Sequence, residues 1–145
     1  MLYPLLLGCV LTIVTTMVHA GAMVLALRVL RLVHIGRRNL RSLHAKAALV
    51  AALVLMMFLA SLVEAGIWAL AYVKAGAFAS VEPALYFSTV TFTTLGYGDL
   101  VIGDDWRLVA SFEAANGTIM FGWTAALIVA FVQRVYFGAK VTGEE

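Results

Sequence analysis

The sequence predicts an all-α membrane protein with three transmembrane helices and one short segment that enters the membrane and turns back. Three observations carry that prediction. The 145 residues are 63% hydrophobic and only 12% charged, against about 45–50% and about 25% in soluble domains. The mean hydropathy is +1.00. Apolar runs long enough to cross a bilayer recur three times, and a fourth is too short. A soluble chain of this length has too little interior to hide so much apolar surface. The bilayer is therefore the solvent that the composition requires.

The first run, Leu2 to Leu27, is long enough to cross the ~30 Å hydrocarbon core as a helix. No Lys or Arg precedes it, which argues against a signal peptide, although Ala20, Gly21 and Ala22 keep that alternative open. A basic stretch follows, with Arg28, Arg31, Arg37, Arg38, Arg41 and Lys46. Between two apolar runs it reads as a cytoplasmic loop obeying the positive-inside rule. Anionic lipid is its alternative partner, and nucleic acid is not expected. Residues 1–44 thus form a first unit. The second run, Ala45 to Val73, holds one acid, Glu64, and ends in Trp68 and Tyr72, which suit an aromatic belt. The third, 106–134, opens with Trp106 and Arg107 and closes with Gln133 and Arg134. Residues 137–145 form a short tail, too small for a ligand-binding domain, so a regulatory input is expected from the membrane part or from a separate protein.

Pro83 to Val101 is different. It opens with Glu82-Pro83, and Pro is favoured at the first helical position. It ends in a Gly-rich turn. A half-helix over 83–93 that returns as extended chain fits this best. Such backbone survives at membrane depth only where protein buries it or where it lines a watery path, so the segment already points to a pore. With the basic loop inside a plasma membrane, the N-terminus and the dip lie outside and the C-terminus inside. The acids Glu82, Asp99, Asp104 and Asp105 then share the outer side. They are either ordinary loop solubility or a negative mouth that concentrates cations.

Thr93-Thr94-Leu95-Gly96-Tyr97-Gly98-Asp99 resembles the Thr-Val-Gly-Tyr-Gly-Asp signature of potassium channels. Ala84 to Ser88 resembles that family's pore helix, and Arg107 to Arg134 its inner helix. The resemblance covers the two-helix pore module over 45–136: outer helix 45–73, pore helix 83–93, filter 94–99, inner helix 106–134. It implies that potassium, the only bound group expected, sheds its water onto the carbonyls of Thr94, Leu95, Gly96 and Tyr97 and the Thr94 hydroxyl. Glycine at 96 and 98 accepts the positive φ that inward carbonyls need. Tyr97 packs behind the filter, and Asp99 sits at the outer mouth. Leu95 departs from the usual Val but keeps the carbonyl.

The same resemblance implies a homotetramer, because one chain supplies a quarter of the filter. It implies a cavity and gate lined by Thr118, Phe121, Ala125, Val129 and Gln133. It also puts a hinge at Gly117, with Gly122 as a second small residue. Glu64 and Glu113 are costly inside membrane helices and hence functional by default. Together with Asn116 and Arg107 they are expected to support the filter from behind, the acids bonding to Thr91, Thr93 or Arg107. The first helix lacks the spaced arginines of a voltage sensor. An enzyme is not expected: Cys9 stands alone and the scattered histidines form no nucleophile–base pair or metal cluster. The reading is a passive potassium channel. A weakly selective cation channel, which Leu95 would have to permit, and a non-conducting scaffold subunit are its rivals.

Overall fold

The computed structural model describes residues 2–36 and 42–136. Arg37, Arg38, Arg41 and the 137–145 tail lie outside the described residues. Four α-helices follow in order: α1 Leu2–Gly36, α2 Leu43–Lys74, α3 Val81–Phe92 and α4 Arg107–Tyr136, with a 3-10 turn at Asp104–Trp106 before α4. No strand occurs among the described residues.

Length separates the helices into two kinds. The stretches Leu2–Val29, Leu43–Lys74 and Asp104–Tyr136 are long and apolar enough to cross a membrane. α3 has 12 residues, about 18 Å at 1.5 Å per residue, short of the ~30 Å core. It begins at Val81, two residues before the expected start. Pro83 is therefore third in the helix, still in the first turn, where no backbone N–H is needed for a helical bond. Glu82 in the same turn complements the positive end of the helix dipole.

α1 runs further than the expected 2–27. It continues to Gly36, so Arg28 and Arg31, assigned above to a loop, are helical and exposed. Arginine is a good helix former and nothing breaks the run before Gly36. α1 packs on α2 and α4, and α3 is held between α2 and α4. One core joins Trp68 and Tyr72 of α2, Phe87 and Phe92 of α3, and Val109 and Met120 of α4, with Leu11 of α1 at its edge. Tyr72, Phe78 and Phe87 meet there in an aromatic trio with centroids 5.3–6.2 Å apart. A second core gathers Ala26, Leu49, Leu53 and Met57. α1 buries Leu11, Thr15, His19 and Ala26, a single narrow stripe. Its other sides, with Val10, Ile13 and Met17, stay exposed, as a helix face toward lipid or a neighbouring copy requires.

Candidate functional site

The way α3 ends sets the geometry of the stretch after it. Thr93 is the C-cap. The Thr94 N–H donates to the Thr91 carbonyl at 2.9 Å, and the Leu95 N–H to the Val90 carbonyl at 3.0 Å. This pair of bonds is a Schellman closure. α2 closes in the same way, with Gly76 donating to Val73 at 3.1 Å and Ala77 to Tyr72 at 2.9 Å. The two differ at the left-handed position. α2 places Gly76 there, at φ 77°, whereas α3 places Thr94, at φ 60°. A left-handed L-residue costs roughly 1–2 kcal/mol, and a β-branched one is a true outlier. Helix closure alone would select glycine, so the outlier points to a use for the threonine side chain.

Gly96 and Gly98 have φ 57° and 76°. Positive φ thus falls on every second residue: 94, 96 and 98. In an ordinary strand successive carbonyls point to opposite sides. Turning every second residue left-handed lets them swing toward one side. Thr93 through Asp99 are all exposed in the single subunit, Leu95 at 55% and Tyr97 at 66%. Among the described residues, the stretch therefore finds no cover within its own chain, on the carbonyl side or behind it.

Asp99 follows directly. The Tyr86 hydroxyl donates to Asp99 Oδ2 at 2.6 Å, tying the returning chain to α3. A cavity of about 200 Å³ lies between the two, lined by Tyr86, Val90, Thr91 and Gly98 among others. That hydrogen bond from Tyr86 holds the Asp99 carboxyl below the usual carboxylate range, and its donation pushes the Tyr86 phenol up. The folded value of Asp99 is depressed. Its contribution is therefore present above the ordinary Asp range and lost only as pH falls through the lower folded value. Tyr86→Phe is expected to return Asp99 toward the ordinary range. The carboxyl carbon resonance of labelled Asp99 should then titrate at a higher pH than in the wild type; an unmoved midpoint would mean the tie is absent in the assembled protein.

Glu113 stands behind α3. Its Oε2 accepts from the Tyr72 hydroxyl at 2.7 Å, and its Oε1 is hydrogen-bonded to Ser88 Oγ. Ser88 Oγ also donates to the Ala65 carbonyl at 2.6 Å. One carboxyl thus joins α2, α3 and α4. The expected partners Thr91, Thr93 and Arg107 are not those of Glu113. Ser88 is the α3 hydroxyl on the buried face, whereas Thr93 is exposed and bonds back to the Thr89 carbonyl at 2.8 Å. A hydroxyl has one hydrogen. With Ser88 donating to Ala65, the count closes when the hydrogen between Ser88 and Glu113 comes from Glu113.

The other support residues also differ from expectation. Glu64 does not face α3. Its Oε1 is 2.9 Å from His19 Nδ1, both side chains fully buried between α2 and α1. Asn116 Nδ2 donates to Thr15 Oγ1 at 2.6 Å, again toward α1. Arg107 pairs at 2.7 Å with Asp104, one turn away on the exposed surface. Such exposed pairs stabilise by about 0–1 kcal/mol, so Arg107 lies outside the cluster.

On α4 two stripes separate. Glu113, Asn116, Gly117 and Met120 are buried. Thr118, Phe121, Ala125, Val129 and Gln133 are exposed in the single subunit, and Phe121 touches Phe92 edge-on at 5.9 Å between centroids. Gly117, expected as a hinge, lies in an unbroken helix. A Cβ there would fall 1.9 Å from the Phe92 carbonyl oxygen, so close approach to the end of α3 accounts for this glycine. Gly122 has no neighbour within 4 Å of such a Cβ.

Sequence reasoning missed His19, Thr15, Tyr72, Ser88, Tyr86 and Thr124 as site residues. A signal existed for one of them. His19 is the only His, Lys, Arg, Asp or Glu of the first apolar run, and Glu64 is the only acid of the second; two such residues in adjacent spans are natural partners. A family model described as ion channel matches residues 52–134, from α2 to the last turns of α4. Neither curated proteins nor solved structures give a match.

Proposed function

We propose, from the premise that this chain belongs to the potassium-channel-like family of two-helix ion-channel pores, that it is one subunit of a homotetrameric, potassium-selective channel. The observation that carries the reading is the left-handed backbone at Thr94, Gly96 and Gly98 in a stretch without cover of its own. Four such stretches around one axis give a ladder of carbonyl oxygens that replaces the hydration shell of potassium. The ladder runs from Thr94 through Tyr97, with the Thr94 hydroxyl at its inner end.

The rest of the subunit serves that ladder. Glu113, through Ser88 and Tyr72, fixes the depth and tilt of α3. The C-terminal, negative end of α3 favours a cation below the filter. Asp99 stays ionised through its tie to Tyr86 and, with Asp104 and Asp105, draws cations to the outer mouth. Thr118, Phe121, Ala125, Val129 and Gln133 line the inner path. Gly117 holds α4 close to α3 and is also the point at which α4 bends on opening. The N-terminus lies outside the plasma membrane and the C-terminus inside. Arg28 and Arg31 then sit at the cytoplasmic face, where anionic headgroups gather.

The test is potassium flux from liposomes holding the purified protein, with sodium flux and barium block as controls. Barium-sensitive potassium flux with at least about tenfold less sodium flux is expected. Equal sodium and potassium flux would replace the reading with a weakly selective cation channel and implicate Leu95. A tetramer silent to both ions would replace it with a non-conducting subunit.

A further inference from the structure

His19 sits where α1, α2 and α4 meet. It is fully buried, and both ring nitrogens have partners on other helices. Nδ1 lies 2.9 Å from Glu64 Oε1 of α2, and Nε2 lies 3.2 Å from Thr124 Oγ1 of α4. The imidazole also packs at a tilt against Trp123 of α4, with centroids 5.6 Å apart. Nothing in the conduction path uses this cluster. A histidine and a carboxylate are expensive at membrane depth, so their presence needs a reason.

The chemistry of the two contacts differs with protonation. A neutral ring donates through Nδ1–H to Glu64 and accepts at Nε2, so Thr124 must donate its one hydrogen to His19. A protonated ring donates through both nitrogens. Thr124 then accepts, and its hydrogen is released to the carbonyl of its own helix one turn back, at Met120. Thr118 makes that kind of bond on the same helix, to Ala114 at 3.0 Å. Net charge changes too. Protonated His19 and ionised Glu64 neutralise one another, whereas neutral His19 leaves a lone carboxylate in the bilayer. Glu64 Oε2 has no partner, so that charge would be poorly compensated. Among the described residues, Glu64 is the only titratable group facing His19 from α2, and α4 presents only Thr124 and Trp123. Glu113 is engaged further along α4 with Tyr72 and Ser88, and α3 presents no charged group to the cluster.

We propose that His19 is a proton-sensitive positioning residue for the inner helix. Protonated His19, paired with Glu64, clamps α4 to α1 through a charge-assisted Nε2–H bond to Thr124, and loss of the proton leaves only the weaker neutral bond that Thr124 donates. The inference rests on the channel reading. α1 holds α4 from the stripe that carries its buried residues, not from the exposed stripe of Thr118 and Val129, so the clamp keeps α4 back from the pore axis. Conduction should therefore fall as pH rises, with selectivity unchanged. Histidine is the side chain suited to such a switch across the physiological range.

The test measures potassium flux from liposomes of wild-type tetramer at matched internal and external pH, from pH 5 to 8. Trp123 fluorescence, read as the difference between wild type and Trp123→Phe, reports ring protonation independently of flux. Flux is expected to drop about tenfold across the range, within the 5–150-fold of ordinary coupling, in step with the Trp123 signal. His19→Gln, whose amide can serve both partners without titrating, should abolish both pH dependences and keep potassium over sodium selectivity. Thr124→Val should keep the fluorescence step and lose the flux step. A Trp123 signal flat with pH overturns the proposal, and so does a flux profile that His19→Gln leaves unchanged. A tetramer silent at every pH whose Trp123 signal titrates would support the proton site while overturning the channel reading.

Discussion

Gly117→Ala is expected to cut ion flux at least tenfold and to lower the thermal stability of the protein. One methyl group does this because of where it points. Its carbon would lie 1.9 Å from the Phe92 carbonyl oxygen, and ordinary contact begins at 3.4 Å. A backbone carbonyl cannot swing away as a flexible side chain would. Either α4 retreats by about 1.5 Å or the last turn of α3 moves. That turn carries the Schellman closure that aims Thr94, so the second route distorts the proposed filter directly. Overpacking costs roughly 1–3 kcal/mol, and a clash against backbone belongs at the upper end. Gly21→Ala, where nothing lies within 4 Å, is the matching control and should behave as wild type. Flux assays with melting of the detergent-solubilised protein check both. Wild-type behaviour of Gly117→Ala would mean that α3 and α4 do not make this contact in the assembled channel.

Glu113→Ala should be as damaging, by a different route. The substitution leaves the Tyr72 hydroxyl without an acceptor and removes one of the two partners of Ser88. An unsatisfied buried polar group costs about 1–3 kcal/mol, and in hydrocarbon no water replaces the lost partner. Among the described residues, α3 then keeps only the Ser88 bond to Ala65 as a side-chain polar anchor to α2 and α4. Glu113→Gln is the informative companion. Its amide N–H₂ can donate to Ser88 and its oxygen can accept from Tyr72, the arrangement that the hydrogen count implies for Glu113 itself. Glu113→Gln should therefore retain most of the stability and flux that Glu113→Ala loses. Equal damage from the two would show that Glu113 acts as a charged carboxylate, and the hydrogen count would have to be reassigned.

Much of the architecture was legible in the sequence, because the bilayer simplifies the problem. Run length alone distinguishes α2 and α4, which can cross, from α3, which cannot. Gly96 and Gly98 announce positive φ by their identity. Thr94 does not, because its left-handed backbone arises from the helix closure at Val90 and Thr91 rather than from its own preference. Helix rotation was the larger obstacle. A helix apolar on every side gives no periodic signal for its buried face, so nothing in the run containing Glu64 says that it faces α1 rather than α3. The polar partners are also remote: Asn116 meets Thr15, and Thr124 meets His19, across most of the chain. Local pattern reaches one turn, as in Asp104 and Arg107, and cannot reach these. Arg28 and Arg31 were assigned to a loop rather than to α1 because charge marks where lipid ends, not where a helix ends.

The contacts between α1 and the matched pore region bear on how the protein is built. A charged side chain deep in a helix costs about 2.5–3.5 kcal/mol to insert, and α2 brings Glu64 into the bilayer without a compensating cation of its own at that depth. Synthesis delivers α1 first. His19 is thus already in place when Glu64 leaves the translocon, and Thr15 awaits Asn116 when α4 follows. α1 acts in this order as a built-in insertion partner, and the pore region is not a portable cassette. Residues 42–136 expressed alone should insert poorly or be cleared by quality-control proteases, and supplying α1 as a separate polypeptide should restore their yield.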